Sequence, residues 1–118
     1  MEFSGIVDGT GTRIMGLVEG GAFNTRIKAN LNMIWPVPDY WSLEDAATVP
    51  LAYCLAFYCL AIKSNLCSGM RIFIHGGAGA LGQALISVAL AYNCEVFVTV
   101  SSLSKKHFLR RLYPQLRG

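Results

Sequence analysis

A glycine-rich loop between an apolar run and an apolar helix constrains the fold of this chain more than any other feature. Residues 71–75 read as a strand, residues 76–82 as the loop and residues 83–92 as the helix. Residues 95–100 read as a second strand, and residues 104–112 as a further helix. This order predicts a β-α-β unit with parallel strands and a right-handed crossover.

The N-terminal residues follow a different pattern. Short runs that favour strands alternate with Gly-, Asp- and Asn-rich turns, at residues 3–7, 13–18, 22–29 and 33–35. This pattern is typical of part of a β-barrel or β-sandwich. Ser42 and Asp45 then resemble a capping box that opens a short helix before Pro50, and residues 51–63 read as a second, largely buried helix. We therefore predict an α/β chain, with a β-rich segment over residues 1–50 and a β-α-β-α segment over residues 51–118.

Composition excludes several classes of protein. Of the 118 residues, 53% are hydrophobic and 14% charged, which excludes an intrinsically disordered segment. The apolar stretch over residues 49–62 contains Pro50 and is shorter than the roughly 20 residues that cross a bilayer, so we expect no membrane partner. Without a visible secretory signal, the expected location is cytoplasmic. The predicted α/β architecture usually needs more strands, so we expect the chain to be a fragment.

Charges and cysteines give further exclusions. Five of the 10 basic residues lie within the last 14 positions, but apolar residues at helical spacing among them predict an ordinary amphipathic helix and no nucleic-acid partner. The four cysteines show no C-x-x-C spacing and lie mostly in apolar surroundings. We interpret them as buried thiols, and expect neither disulfides nor a metal site.

The loop carries the pattern G-x-G-x-x-G directly after a strand and before a helix, a context typical of dinucleotide binding. In this context Gly77 allows a tight turn, Gly79 lets a pyrophosphate approach the backbone, and Gly82 allows close packing of helix and strand. The helix N-terminus presents unpaired N–H groups to the phosphates. The alternative is a glycine-rich turn without a ligand. The predicted cofactor-binding residues of the loop are Gly77, Ala78, Gly79, Ala80, Leu81 and Gly82.

The end of the second strand indicates which dinucleotide binds. NAD sites of this design place a carboxylate there for the ribose 2′-hydroxyl. This chain instead has Ser101 and Ser102, with Lys105 just beyond, which could bind a 2′-phosphate. The sequence therefore favours NADPH, with these three residues as further cofactor-binding candidates. The alternative is that the serines only cap a helix and the lysine is solvated.

No catalytic residue can be assigned from the sequence. His75 ends the first strand of the β-α-β unit, where a hydrogen-bonded residue at the base of the loop is the expected role. Tyr53 is expected to be a core or cofactor-wall residue. The sequence assembles no Ser-His-Asp, Cys-His or metal-ligating group.

Three stretches resemble the enoyl reductase domain of animal fatty acid synthase, a zinc-free, quinone-oxidoreductase-like branch of the medium-chain dehydrogenase/reductase superfamily. They are residues 35–50, which begin Trp-Pro-Val-Pro; residues 74–84 around the glycine loop; and residues 96–102 with Lys105. Phe108, Leu109 and residues 113–116 extend the match. The resemblance thus covers nearly the whole chain.

The resemblance implies a partial GroES-like substrate domain followed by the first part of a Rossmann domain that binds NADPH. It also implies reduction of a trans-2-enoyl chain carried on acyl carrier protein, within a synthase that has other domains on the same chain and is a homodimer. A polyketide synthase is the related possibility. Two alternatives stay open: a fragment of a free-standing quinone or alkenal reductase, and a truncated, non-catalytic remnant.

Overall fold

A computed structural model describes residues 1–116. The chain divides into two compact units, Met1–Leu51 and a second unit that begins at Ala52. Each unit is described by itself below.

The first unit is built on a three-stranded antiparallel sheet in the order β1-β2-β3. Its strands are β1 (Glu2–Ile6), β2 (Arg13–Leu17) and β3 (Ile34–Pro36), and a single 3₁₀ turn at Leu31–Met33 leads into β3. The strand expected at residues 22–29 does not form. The Asn24 side chain instead donates a hydrogen bond to the Gly21 carbonyl at 3.0 Å, and such local bonds compete with a strand ladder.

Helix α1 (Leu43–Ala46) closes the first unit, and it begins as the capping pattern predicts. The Ser42 hydroxyl oxygen accepts a hydrogen bond from the Asp45 backbone N–H at 3.0 Å. The same hydroxyl donates to the Asp45 carboxylate at 2.7 Å. The Asp45 N–H and the Ser42 hydroxyl at the start of the helix thus both have a hydrogen-bond acceptor.

Gly16 shows how closely the first unit is packed. A Cβ at Gly16 would lie 2.5 Å from the Met33 carbonyl oxygen and 2.9 Å from the Phe3 ring. We expect Gly16→Ala to lower the free energy of unfolding by about 2 kcal/mol, the cost of forcing an extra methyl into a filled site. Denaturant titration monitored by circular dichroism measures this change.

Gly5 on the neighbouring strand provides the matched control for Gly16. A Cβ there would meet nothing within 4 Å, so Gly5→Ala should leave the free energy of unfolding within about 0.5 kcal/mol of the original. Equal losses in the two variants would show that strand propensity, and not close packing, sets the cost.

Helix α2 (Pro50–Phe57) continues into a π-helical segment at Tyr58–Lys63, and this region is much less buried than expected. Ala56 and Leu60 are buried, but Phe57 is 48% exposed and Ile62 58% exposed. The helical stretch Leu43–Lys63 is long and apolar enough to cross a membrane, although core helices of soluble proteins meet the same criterion. The sequence pattern identified an apolar helix correctly but was wrong about its burial.

The second unit contains the expected β-α-β-α arrangement. Strands β4 (Arg71–Ile74) and β5 (Glu95–Val98) are parallel and are joined by α3 (Ala80–Ala91), and α4 (Leu103–Leu112) follows. Helix α3 begins three residues earlier than predicted because the loop ends at Gly79, which caps the helix. The core consists of Leu60, Leu66, Ile74, Ile86, Ala89, Cys94, Val96 and Leu109.

The cysteines of the chain are all free, and they differ in burial. Cys94 is buried in the core, Cys54 and Cys59 are half-buried, and Cys67 is exposed. The expectation of buried thiols is therefore wrong for Cys67. Burial raises the pKa of the Cys54 thiol, which disfavours its thiolate form.

Candidate functional site

A cleft of about 200 Å³ opens where the parallel strands β4 and β5 end. Ligands of open α/β sheets bind in this position, because the loops that leave the carboxyl ends of neighbouring strands diverge there. The cleft brings together the glycine loop after β4 and the connection from β5 to α4. It is lined by His75, Gly76, Ala78, Gly79, Thr99, Val100, Ser101 and Lys105.

The tight turn of the loop depends on Gly76, which lies just before the sequence motif. Gly76 has a φ of +76°, in the left-handed region that favours glycine. Gly77 was expected to allow this turn. The structure requires glycine at position 77 for a different reason, which is that a side chain there would have no room. A Cβ on Gly77 would lie 3.0 Å from the Val98 Cβ, so the absence of a side chain lets the loop pack directly on β5.

The other two motif glycines differ in what surrounds them. A Cβ on Gly82 would lie 2.5 Å from the Gly76 carbonyl oxygen and 2.7 Å from the Gly77 Cα, so α3 packs closely against the loop backbone. A Cβ on Gly79 would meet only the Gly76 carbonyl oxygen, at 3.7 Å. Gly79 therefore offers an open backbone surface on the wall of the cleft, as a closely approaching ligand requires.

The N-terminus of α3 adjoins this open surface. Gly79 caps the helix without a side-chain hydrogen bond, and the first intrahelical bond runs from the Gln83 N–H to the Gly79 carbonyl. The N–H groups of the first turn, including those of Ala80 and Leu81, precede that bond and have no intrahelical acceptor. The first turn holds no acidic residue. This end of the helix can therefore donate hydrogen bonds to an anion.

The segment after β5 supplies the remaining residues that line the cleft. The Lys105 Nζ donates to the Ser101 hydroxyl at 3.1 Å, and both residues line the cleft. Ser102 caps α4 by accepting a hydrogen bond from the Lys105 backbone N–H at 3.4 Å, and it is not among the residues that line the cleft. The structure thus places two of the three predicted residues together and gives the third a capping role.

Thr99 is a site residue that the sequence analysis missed. Its Oγ1 accepts a hydrogen bond from the Gly76 N–H at 3.1 Å and contacts His75 Nδ1 at 2.8 Å. Its backbone carbonyl accepts from the Gly77 N–H at 3.0 Å. Thr99 therefore holds the base of the glycine loop against β5, and His75 has the hydrogen-bonded role expected of it.

The Thr99 hydroxyl can be tested by substitution with valine, which keeps the shape and removes the hydrogen bonds. Because the Gly76 N–H and His75 lose a partner, we expect Thr99→Val to lower the free energy of unfolding by about 1 kcal/mol. Thr99→Ser retains the hydroxyl and should lower the free energy of unfolding by less. Denaturant titration compares the two variants, and a larger loss in the serine variant would assign the cost to the methyl group instead.

Over residues 1–116, no group of three or more His, Cys, Asp or Glu side chains could hold a metal ion. The Tyr53 hydroxyl lies 3.2 Å from the Ser87 hydroxyl on α3, where the two form a hydrogen bond. The open backbone at Gly79, the start of α3 without a side-chain cap and Lys105 support a binding site for an anionic ligand in the cleft.

Solved structures of oxidoreductases share the architecture of this chain. The chain superposes on the CurK enoyl reductase with a TM-score of 0.85 and 30% identity, covering 94% of this chain and 36% of that one. The chain has the enoyl reductase fold of the medium-chain dehydrogenase/reductase superfamily. The quinone oxidoreductase of Thermus thermophilus, whose complex with NADPH has also been solved, matches with a TM-score of 0.80 and 30% identity over 89% of this chain and 35% of that one. The predicted combination of GroES-like and Rossmann parts in this superfamily is confirmed.

Sequence relatives of the chain include large synthases. The reducing polyketide synthase rdc5 of Metacordyceps chlamydosporia is 34% identical over 103 residues, 87% of this chain. The highly reducing polyketide synthase tstA of Talaromyces stipitatus is 34% identical over 116 residues, 92% of this chain. The chain spans 4% of the length of each of these two relatives. No protein-family model matches it.

Proposed function

We propose that this chain is a segment of an NADPH-dependent enoyl reductase within a multidomain reducing synthase. The observation that carries the proposal is the cleft, which is lined both by an open glycine backbone at a helix N-terminus and by a lysine and a serine. When bound, NADPH would supply the hydride that adds to the β-carbon of a trans-2-enoyl thioester, and a proton added at the α-carbon would complete the saturated acyl thioester. The residues described here bind and orient the nucleotide.

The glycine loop suits the pyrophosphate of a dinucleotide. Gly79 has no Cβ to obstruct the approach, and the N–H groups of Ala80 and Leu81 have no acceptor within the helix. Gly77 and Gly82 hold the loop in place through the close contacts of their backbones. Ala78 adds its backbone to the wall of the cleft.

The part of the cleft lined by Ser101 and Lys105 suits a 2′-phosphate. The Lys105 ammonium and the Ser101 hydroxyl are 3.1 Å apart and can both donate to the same phosphate group. Residues 96–105 contain no Asp or Glu, so no carboxylate side chain between β5 and Lys105 repels this charge. Ser102 contributes by capping α4, which positions the backbone of Lys105.

The synthase context rests on the relatives. Reducing polyketide synthases among them support other domains on the same chain. For such an arrangement we propose a substrate carried on acyl carrier protein. The resemblance to fatty acid synthase leads us to assign fatty acid synthesis as the pathway, with a cytoplasmic homodimer as the assembly. Polyketide synthesis is the second candidate, favoured by the names of the relatives.

Adenosine 2′,5′-bisphosphate carries the 2′-phosphate that distinguishes NADPH from NADH, so its binding tests the choice of nucleotide. The residues that we propose to bind it all lie in the second unit. We expect it to bind the chain at least tenfold more tightly than adenosine 5′-monophosphate, which lacks the 2′-phosphate. Isothermal titration calorimetry measures both affinities. Equal affinities would contradict the NADPH assignment.

Turnover tests the reaction itself. The full-length protein that contains this segment is expected to oxidise NADPH in the presence of a crotonyl thioester and to yield the butyryl thioester. A quinone in place of the thioester provides the comparison, because a free-standing quinone reductase would prefer it. If the protein bound NADPH and reduced neither substrate, the non-catalytic alternative would be the better one.

A further inference from the structure

One peptide unit of the glycine loop is held at both ends. The Ala78 carbonyl accepts a hydrogen bond from the Gln83 side-chain Nε2 at 2.9 Å. The N–H of the same peptide, which belongs to Gly79, donates to the Gly76 carbonyl at 3.2 Å. Ala78 and Gly79 both line the cleft, so these two bonds set the orientation of its wall.

Gln83 is itself anchored by a chain of hydroxyl groups. Its backbone carbonyl accepts from the Tyr113 hydroxyl at 3.3 Å, and that hydroxyl is 3.0 Å from the Ser87 hydroxyl. The Ser87 hydroxyl is also bonded to the Tyr53 hydroxyl at 3.2 Å. Tyr113 directly follows α4, the helix that carries Lys105. The network therefore ties the start of α3 to the end of α4.

We propose that Gln83 is a positioning residue for the nucleotide, acting through the Ala78–Gly79 peptide. This inference rests on the proposed function for its ligand. Without the amide of Gln83, the peptide keeps only the bond from the Gly79 N–H to the Gly76 carbonyl. It can then tilt about that bond, which turns the N–H groups that follow it away from their common direction toward the cleft. Preorganised N–H donors bind an anion more tightly than donors that must first be ordered.

The test substitutes Gln83 by methionine, which has a similar length and cannot donate to the Ala78 carbonyl. Gln115, the other glutamine of the chain, is exposed, and Gln115→Met makes the same chemical change outside the cleft. We expect Gln83→Met to bind NADPH about tenfold more weakly, while Gln115→Met binds as the original chain does. Fluorescence of the nicotinamide measures binding.

Two further measurements separate positioning from a loss of stability. The carbonyl ¹³C resonance of Ala78 reports its hydrogen bond without any ligand, and it should shift in Gln83→Met and not in Gln115→Met. Amide hydrogen exchange at Gly79 should accelerate, with the amides of β4 and β5 unchanged. Gln83→Glu provides a second variant of nearly the original shape, whose ionised carboxylate cannot donate and should reproduce the shift.

Each outcome decides one question. Unchanged NADPH affinity in Gln83→Met, or an unchanged Ala78 resonance in both Gln83 variants, would overturn the positioning role. If the original chain binds no NADPH while the Ala78 resonance still shifts, the proposed function fails and Gln83 retains only its effect on the loop. Accelerated exchange throughout β4 and β5 would assign Gln83 to general stability, and this also overturns the proposal.

Discussion

Gly82→Ala is expected to lower the free energy of unfolding by about 3 kcal/mol, because the added methyl has no room. Its Cβ would lie 2.5 Å from the Gly76 carbonyl oxygen and 2.7 Å from the Gly77 Cα, and neither can move aside as a flexible side chain would. Alanine favours a helix over glycine by about 1 kcal/mol, and this gain offsets only part of the cost. Denaturant titration of the chain measures the change.

Gly79→Ala is the matched control for Gly82→Ala, since both change one motif glycine to the same residue. A Cβ at Gly79 has only the Gly76 carbonyl oxygen nearby, at an ordinary 3.7 Å. Its φ of −76° suits alanine, so the loss in stability should stay below about 1 kcal/mol. NADPH binding should nevertheless weaken, because the methyl occupies the open surface of the cleft. Equal stability losses in the two variants would contradict the close contact of α3 with the loop.

Lys105→Ala is expected to weaken binding of adenosine 2′,5′-bisphosphate about 30-fold, as loss of a charged donor to a phosphate usually costs one to two powers of ten. Adenosine 5′-monophosphate should bind nearly as before, because it lacks the group that Lys105 contacts in our proposal. Calorimetry with both ligands gives the ratio. The expected result is thus a loss of discrimination between the two ligands.

Lys106→Ala is the control for Lys105→Ala. Lys106 is the neighbouring lysine, carries the same charge and does not line the cleft beside Ser101. Loss of the Lys106 charge should weaken the binding of both nucleotides slightly and equally, because it lowers the positive potential near the cleft without removing a specific contact. If Lys105→Ala weakened both nucleotides equally, Lys105 would have no specific role toward the 2′-phosphate.

The order of the strands and helices could be predicted because each of these elements depends on residues that are close to one another in the sequence. Apolar periodicity marked β4, α3 and β5, and the capping pair Ser42 and Asp45 marked the start of α1. Boundaries were less accurate, since α3 begins at Ala80 as soon as a glycine can cap it. The glycine motif was recognisable because its spacing reflects one short loop.

Two errors have a common cause. Residues 22–29 have the composition of a strand but form none, and the helical segment around Phe57 and Ile62 is apolar but half exposed. In both cases the outcome depends on which other part of the molecule could pair with or cover the segment. Local propensity contains no information about that partner.

In the candidate site, too, some residues could be found from local sequence patterns and others only from contacts in the folded structure. The residues Gly79, Ser101 and Lys105 could be selected from the sequence, because a motif and the end of the next strand mark them. The left-handed turn at Gly76, the bonds of Thr99 and the support from Gln83 and Tyr113 could not.

The sequence alone therefore determined the order of β4, α3 and β5 along the chain and the position of the glycine motif, because each of these elements depends on residues that are close along the chain. The folded structure decided which residues meet across the cleft. Thr99 and Gly76 are 23 residues apart, and Tyr113 and Gln83 are 30 apart. Hydrogen bonds over such separations form only after the parallel strands and helices have packed, so no local pattern encodes them.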